Sequence, residues 1–397
     1  NSDELVDINW PLEEIASDQF QIAGGWGGGT FVGSVGVTLN NLSIKNFFKK
    51  GAWRPYPMGQ NQRLSISAQT NGTYYKAFAI SFTDPWMGGR KPNSFTISAH
   101  YSDENNAYYA WQKGTRYFRT AGVAAGLGKR LDWPDPYFTF YAEASYERYM
   151  LKDWNTFVLK NGAANLLSIR LVLGRNSVDQ PIYPRRGSDF SVSVQLTPPY
   201  SLWDGKDYKS TALSEQERYN WIEFHKWMLK GQWFTPLTRN GNLVLMARAE
   251  MGYLGHYNKN KVSPFERFEV GGDGMTGYNM YGIDIISMRG YDDGALDPVG
   301  SNYSCAYNKY TMELRYPLLL KGQTNIYVLG FLEGGNGFTS WKEFSPFKIK
   351  RSAGIGVRLF LPVVGMVGVD WGWGFDPAAG QTKRSGSHIH FTMGMQF

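Results

Sequence analysis

Polar and apolar residues alternate one by one along most of this chain. In Ser188 to Thr197, the residues Phe190, Val192, Val194 and Leu196 alternate with Ser191, Ser193, Gln195 and Thr197. Phe95, Ile97, Ala99 and Tyr101 alternate in the same way with Ser94, Thr96, Ser98 and His100. The last segment sets Ile389, Phe391, Met393, Met395 and Phe397 against His388, His390, Thr392, Gly394 and Gln396. A period of two gives one apolar and one polar face, the pattern of a half-buried strand. Helical periodicity of comparable length is almost absent. Its best candidate, Ser214 to Lys230, also reads as a strand with Ile222, Phe224 and Met228 on one face. The alternation predicts sixteen strands, with cores near 20–25, 31–39, 62–70, 75–83, 93–102, 115–127, 137–148, 165–174, 188–197, 219–234, 242–256, 305–316, 324–334, 349–361, 364–375 and 387–397.

The connections alternate too. From the fourth strand on, every second one carries proline (Pro85, Pro134 and Pro136, Pro181 and Pro184, Pro236, Pro317, Pro362), and most of these are short. The intervening ones, such as 103–114, 199–218, 257–304 and 376–386, are longer and rich in Gly, Asn, Asp, Lys and Ser. Strands of roughly 9–11 residues with turns on one side and loops on the other predict an all-β chain, a transmembrane antiparallel β-barrel. Trp86, Trp133, Tyr137, Trp371 and Trp373, near strand ends, suit its interfacial girdles. A soluble sandwich also alternates, but it needs neither sixteen strands nor a loop as long as 257–304. Strands in lipid must close, because an open edge leaves amides unpaired in hydrocarbon. An even count places both chain ends on the same side.

Composition narrows the chemistry. Aromatic residues make up 16% of the 397 residues and charged ones only 19%, with a net charge of +7. The Lys and Arg residues are scattered, so no nucleic-acid surface is expected. Gly24, Gly25, Gly27, Gly28 and Gly29 run into another strand, which argues against a phosphate cradle. Cys305 is the single cysteine, so a disulfide framework and a cysteine zinc cage are excluded. The chain opens Asn-Ser-Asp with no apolar leader, as expected of a mature chain or an excised piece. The five histidines have no Ser or Asp partner at a telling spacing, so no catalytic residues are assigned. His388 and His390 share a face, but two ligands make a poor metal site, and neither a metal nor a cofactor is expected.

Four patches go beyond a generic barrel. Met288-Arg289-Gly290-Tyr291 lies in the longest loop, after the run Gly271-Gly272-Asp273-Gly274. In Phe331-Leu332-Glu333-Gly334-Gly335, alternation places Phe331 and Glu333 in the lumen. In Arg351 to Arg358, Ile355 and Val357 face lipid, so Gly354, Gly356 and Arg358 face inward. The fourth patch is the terminal Gly394-Met395-Gln396-Phe397. Inward glycines leave room for a loop against the wall, and Glu333 offers a carboxylate to the Arg289 fork. Ordinary lumen charges explain these residues as well; the alternative is an internal latch that holds the loop in one pose.

These motifs carry a resemblance. Met288–Tyr291 resembles the [VILM]-R-G-[FY] loop signature of the outer-membrane barrel insertases and two-partner secretion translocators. Phe331, Glu333 and Gly335 match that family's F-x-[DE]-x-G strand. Arg351, Gly354, Gly356 and Arg358 match its R-x-x-G-x-G-x-R strand, followed by Leu361-Pro362. Phe82-Thr83-Asp84-Pro85-Trp86 is similar to its turn after the fourth strand, and 84–92 and 287–298 resemble Bacteroidota members. The resemblance implies a barrel over 19–397, a loop folded back into its lumen, and residues 1–18 as the end of a periplasmic POTRA domain or a linker. It implies an outer-membrane location with both termini periplasmic. The implied partners are client β-barrel proteins, accessory lipoproteins, outer-membrane lipids and lipopolysaccharide.

An insertase of this kind would fold clients without ATP, and the sequence supplies a route. The first strand (Gln19, Phe20, Gln21, Ile22, Gly24, Gly25) is short and runs into glycine, while the last (Phe391, Gly394, Phe397) has a glycine near its end. Their seam is predicted to carry fewer backbone hydrogen bonds than any other neighbouring pair. An opened seam is a template for strand addition by a client. A secretion translocation pore of the same family is the near alternative, and a passive porin the farther one.

Overall fold

The computed structural model describes residues 19–27, 30–53, 56–70, 74–89, 91–107, 114–274, 283–300, 303–321, 324–361 and 365–394. Eighteen strands are present among them: β1 (Gln19–Gly27), β2 (Thr30–Leu42), β3 (Gln62–Thr70), β4 (Tyr75–Asp84), β5 (Asn93–Asn105), β6 (Tyr117–Arg130), β7 (Phe138–Lys152), β8 (Gly162–Asn176), β9 (Gly187–Leu196), β10 (His225–Pro236), β11 (Val244–Gly255), β12 (Phe268–Val270), β13 (Asp284–Ile286), β14 (Ala306–Lys321), β15 (Thr324–Phe338), β16 (Lys350–Leu361), β17 (Gly365–Pro377) and β18 (Arg384–Gly394). Sixteen of them form one antiparallel sheet in chain order, interrupted only where β11 pairs with β14. The short β12 and β13 pair in parallel inside the connection between them.

The sheet is turned inside out relative to a soluble protein. On β14, Met312, Leu314 and Tyr316 are exposed on the outer face, while Lys309, Thr311, Glu313 and Arg315 are buried on the inner one. Outward Phe78, Ile80, Ile97, Val123, Leu127, Ile169 and Ile355 extend this apolar belt around the sheet. Only a hydrocarbon surround makes that arrangement favourable, and it requires every strand to hydrogen-bond laterally.

One expectation needs correction. Residues 219–224 are not strand. Glu215–Tyr219 forms a short helix, α1, closed by a Ser214–Glu217 capping box, and the strand begins only at His225. Ile222 and Phe224 alternate like strand residues because both are buried in the lumen cluster. The connections 106–116, 153–161, 197–224, 256–305 and 339–349 lie on one side. Most on the other are short, and Pro317 sits at a bulge where β14 meets its turn. Near the first strands the asymmetry reverses, because the turn 43–61 is long. The expectations for residues 1–18 and for Phe397 lie outside the described residues.

Candidate functional site

The connection 256–305 carries its own apolar residues and therefore cannot rest in water. Phe265, Phe268, Val270, Ile283, Ile286, Met288, Tyr291 and Leu296 are buried, and they cluster with the wall residues Phe118, Tyr149, Leu166 and Tyr307 and with Phe224 of the connection 197–224. The Phe265 ring stacks on Tyr149 at 4.3 Å, and Phe268 meets Tyr307 edge-on at 4.8 Å. The loop thus folds into the lumen. A second anchor is ionic: Lys226 on β10 lies 3.1 Å from Glu266 and 2.7 Å from Asp284, both in the loop. A bridge between Gly272 and Met288 then delivers Arg289 to the wall formed by β14, β15 and β17.

Arg289 is held there from several directions. Its Nη2 donates to Glu333 Oε1 and to Glu313 Oε1, each at 2.7 Å, and its Nε donates to Glu333 Oε1 at 3.1 Å. Its backbone amide donates to Glu333 Oε2 at 2.9 Å, so one carboxylate grips both main chain and side chain. Asp370 lies 3.7 Å from Nη1, and the Phe331 ring centre 3.7 Å beneath the guanidinium carbon. Burial alone would favour deprotonation. The surrounding carboxylates outweigh it and push the Arg289 pKa further up.

Gly290 comes closer to the wall than any other residue type could. Its φ is +88°, and a Cβ there would lie 2.8 Å from Ser352 Cβ and 3.0 Å from the Gly374 nitrogen. A Cβ on Gly372 would in turn lie 2.8 Å from the Gly290 nitrogen. That nitrogen donates to His390 Nε2 at 2.8 Å. The Tyr291 hydroxyl donates to the Arg351 carbonyl at 2.9 Å.

Gly354 and Gly356 face inward, but the loop rests on Gly372 and Gly374 instead. A Cβ on Gly354 would run into the Phe331 ring, and one on Gly356 into the Asp370 carboxylate. These glycines make room for the groups around Arg289. Gly335 leaves space beside the Asn308 carbonyl and Met288. Arg358 forks onto Asp370 at 2.8 and 2.6 Å. Arg351 instead pairs with Asp376 at the exposed rim.

Residues 58–397 match the Omp85 superfamily domain. The chain belongs to the Omp85 superfamily. It is 23% identical over 334 residues to the outer membrane protein assembly factor BamA of Neisseria meningitidis serogroup B (strain ATCC BAA-335 / MC58), covering 79% of this chain and 34% of that protein. It thus spans about a third of that relative's length. Among solved structures, BamA from Haemophilus ducreyi lacking POTRA domains 1–3 superposes with a TM-score of 0.64 at 17% identity, over 96% of this chain and 70% of that one. CdiB from Escherichia coli does so at 0.57 and 13%, over 97% and 63%. These likenesses establish a BamA-like outer-membrane barrel fold.

Glu313 and Asp370, not singled out from sequence, complete the Arg289 site of this Omp85 barrel together with His390. His388 and His390, paired on one face in the sequence, both meet the loop: His390 accepts from the Gly290 amide, and His388 Nδ1 lies 3.1 Å from Asp292. Tyr183, in the turn 177–186, crosses the opposite mouth. Its hydroxyl donates to the Asn242 and Arg315 carbonyls at 2.8 and 3.0 Å, and its ring meets Tyr327 edge-on. A cavity of about 410 Å³ separates that turn from Arg289.

The loop also stores titratable groups. Asp297 is buried, and one of its carboxylate oxygens has no partner among the described residues. Burial pushes its pKa up to about 8, and burial with nearby Asp293 pushes Glu269 up to about 7.

The seam differs from every other neighbouring pair. β1 and β18 approach within 8 Å between Cα atoms, yet no pairing register joins them among the described residues. β1 runs through Gly24 and Gly25 and pairs only with β2, with Gly24 opposite Gly33 and Gly25 opposite Val32. Phe391 points outward, and Gly394 ends β18.

Proposed function

We propose that this barrel inserts client β-barrel proteins into the outer membrane through the β1–β18 seam. The observation that carries this reading is the contrast between fifteen laddered neighbours and one unladdered approach. An evenly zipped seam would cost roughly 0.5–1.5 kcal/mol for each hydrogen bond broken before a client strand could enter. With no ladder across the seam among the described residues that cost falls, and the two edges can accept a strand from the client. The client then gains the lateral bonds that lipid demands, which drives the reaction without a covalent site. Arg289 and its carboxylates hold the 256–305 loop so that the lumen stays filled while the seam works. Both termini face the periplasm on this reading, where the accessory lipoproteins and the client chain arrive.

A secretion pore is the second reading, favoured by the superposition on CdiB. The two separate in proteoliposomes carrying the full-length protein. An insertase accelerates folding of a urea-unfolded barrel client in the same vesicles. A secretion pore leaves that rate unchanged and passes an unfolded polypeptide into the vesicle interior.

A further inference from the structure

The turn 43–61 is the long exception on the short-turn side, and its described residues, 43–53 and 56–61, are tied together by hydrogen bonds. The Ser43 amide donates to the Pro57 carbonyl at 2.8 Å, Asn46 Nδ2 donates to the Met58 carbonyl at 2.9 Å, and Trp53 Nε1 donates to the Phe47 carbonyl at 3.0 Å. This framework does not hide its aromatic residues. Phe48 is 92% exposed and Trp53 55%, and the Phe47 ring sits edge-on between them at 5.4 and 4.9 Å. An apolar tip held in the open by hydrogen bonds marks an interaction surface.

Charge says what it meets. Residues 43–61 contain Lys45, Lys49, Lys50 and Arg54 and no acidic residue, in a chain whose whole net charge is +7. The turn 85–92 repeats the chemistry, with exposed Trp86 and Met87 beside Arg90 and Lys91 in the sequence. Gln62 ties the two turns together: its Oε1 accepts from the Ile44 amide at 2.9 Å and its Nε2 donates to Asp84 at 3.0 Å. The next two turns differ, since 131–137 carries Asp132 and Asp135 and 177–186 folds inward on Tyr183, and the turn 237–243 carries Arg239 but no aromatic residue.

We infer that these two turns form a basic aromatic foot that docks into the headgroup layer of an anionic phospholipid leaflet. The rings enter the interface, where aromatic side chains are favoured, and the ammonium groups meet lipid phosphates. The foot adjoins the lipid-facing belt and flanks the strands next to β1. This inference stands without the insertase reading and needs only the membrane barrel.

The test uses the full chain with Cys305→Ser and Phe48→Cys, labelled with an environment-sensitive fluorophore. The vesicles are phosphatidylcholine with or without phosphatidylglycerol, brominated near the headgroup. With phosphatidylglycerol the label should be quenched by bromine and shielded from iodide. Changing Lys45, Lys49 and Lys50 to Gln should weaken that docking by about fivefold for each charge, and high salt should act in the same direction. A second label at Leu127→Cys, on the lipid belt, should be quenched in every vesicle and certifies a folded barrel. The inference fails if the Phe48 label stays open to iodide with phosphatidylglycerol present while the Leu127 label is quenched. It also fails if the foot is shielded from both quenchers, because a protein surface would then cover it.

Discussion

Ion pairs on two walls of the same lumen live in different solvents. On β5–β7, His100–Glu147 spans 3.0 Å, but its side chains are 45%/20% exposed. On the opposite wall Arg289–Glu333 spans 2.7 Å with side chains 9%/3% exposed. Distance hardly separates them; water does. A wet pair exchanges one set of hydrogen bonds for another and contributes little. A dry pair leaves a stranded charge when either member is lost. The folded-in loop creates this difference by where it lands: Arg289 and Gly290 lie directly against β14–β17, whereas on β6 and β7 its apolar residues cover Phe118 and Tyr149 and leave the His100 pair open to water.

Arg289→Ala breaks the comparison hardest. It takes from Glu333 its close cationic partner, leaving Lys309 at 4.0 Å, while Glu313 keeps Arg315, and should cost about 3–5 kcal/mol of loop docking, read as faster proteolysis of the 256–305 loop in a barrel that still resists unfolding. Arg289→Lys should recover only part, since an ammonium cannot serve both carboxylates and the Phe331 face together.

Gly290→Ala comes next, with Arg289 left intact. The positive φ and the approach to Ser352 and Gly374 should together cost about 2–4 kcal/mol in the same assay. A neutral outcome would mean that the loop does not need its contact with Gly372 and Gly374.

Acidity gives a smaller effect of fixed sign. Asp297 and Glu269 have pKa values raised to about 8 and about 7 in the docked loop, above those of a free chain. Their contribution is therefore complete at low pH and is lost as pH rises through 7 to 8. Protection of the loop should strengthen between pH 8 and pH 6, and Asp297→Asn should flatten that dependence.

His100→Ala should have the smallest effect, within about 1 kcal/mol, because water already serves both partners. An effect as large as that of Arg289→Ala would erase the distinction between wet and dry walls.

The sixteen sheet strands were legible because lipid enforces strict alternation on the outer face. The pairing of Arg289 with Glu333 could be read from two motifs. Glu313, Asp370 and His390 were not readable in the same way, since each is one inward polar residue among many on its strand. Register decides which of them meet: Thr311 stands opposite Glu333, placing Glu313 on the diagonal, and Gly356 stands opposite Asp370. Only the path of the loop selects that level of the wall. Tyr183 carried no signal, because an inward-folding turn has the same proline-rich composition as an outward one. Ile222 and Phe224 misled because burial against a folded loop mimics the periodicity of a strand.

Locking the seam tests the central claim most directly. Cysteine pairs scanned between Gln19–Ile22 and Phe391–Gly394, in a Cys305→Ser background, bring candidate sulfurs together where the two strands approach within 8 Å. The account predicts that the oxidised protein keeps its heat-modifiable barrel and loses client insertion, and that reduction restores it. Client insertion at the same rate with the seam oxidised would contradict the account.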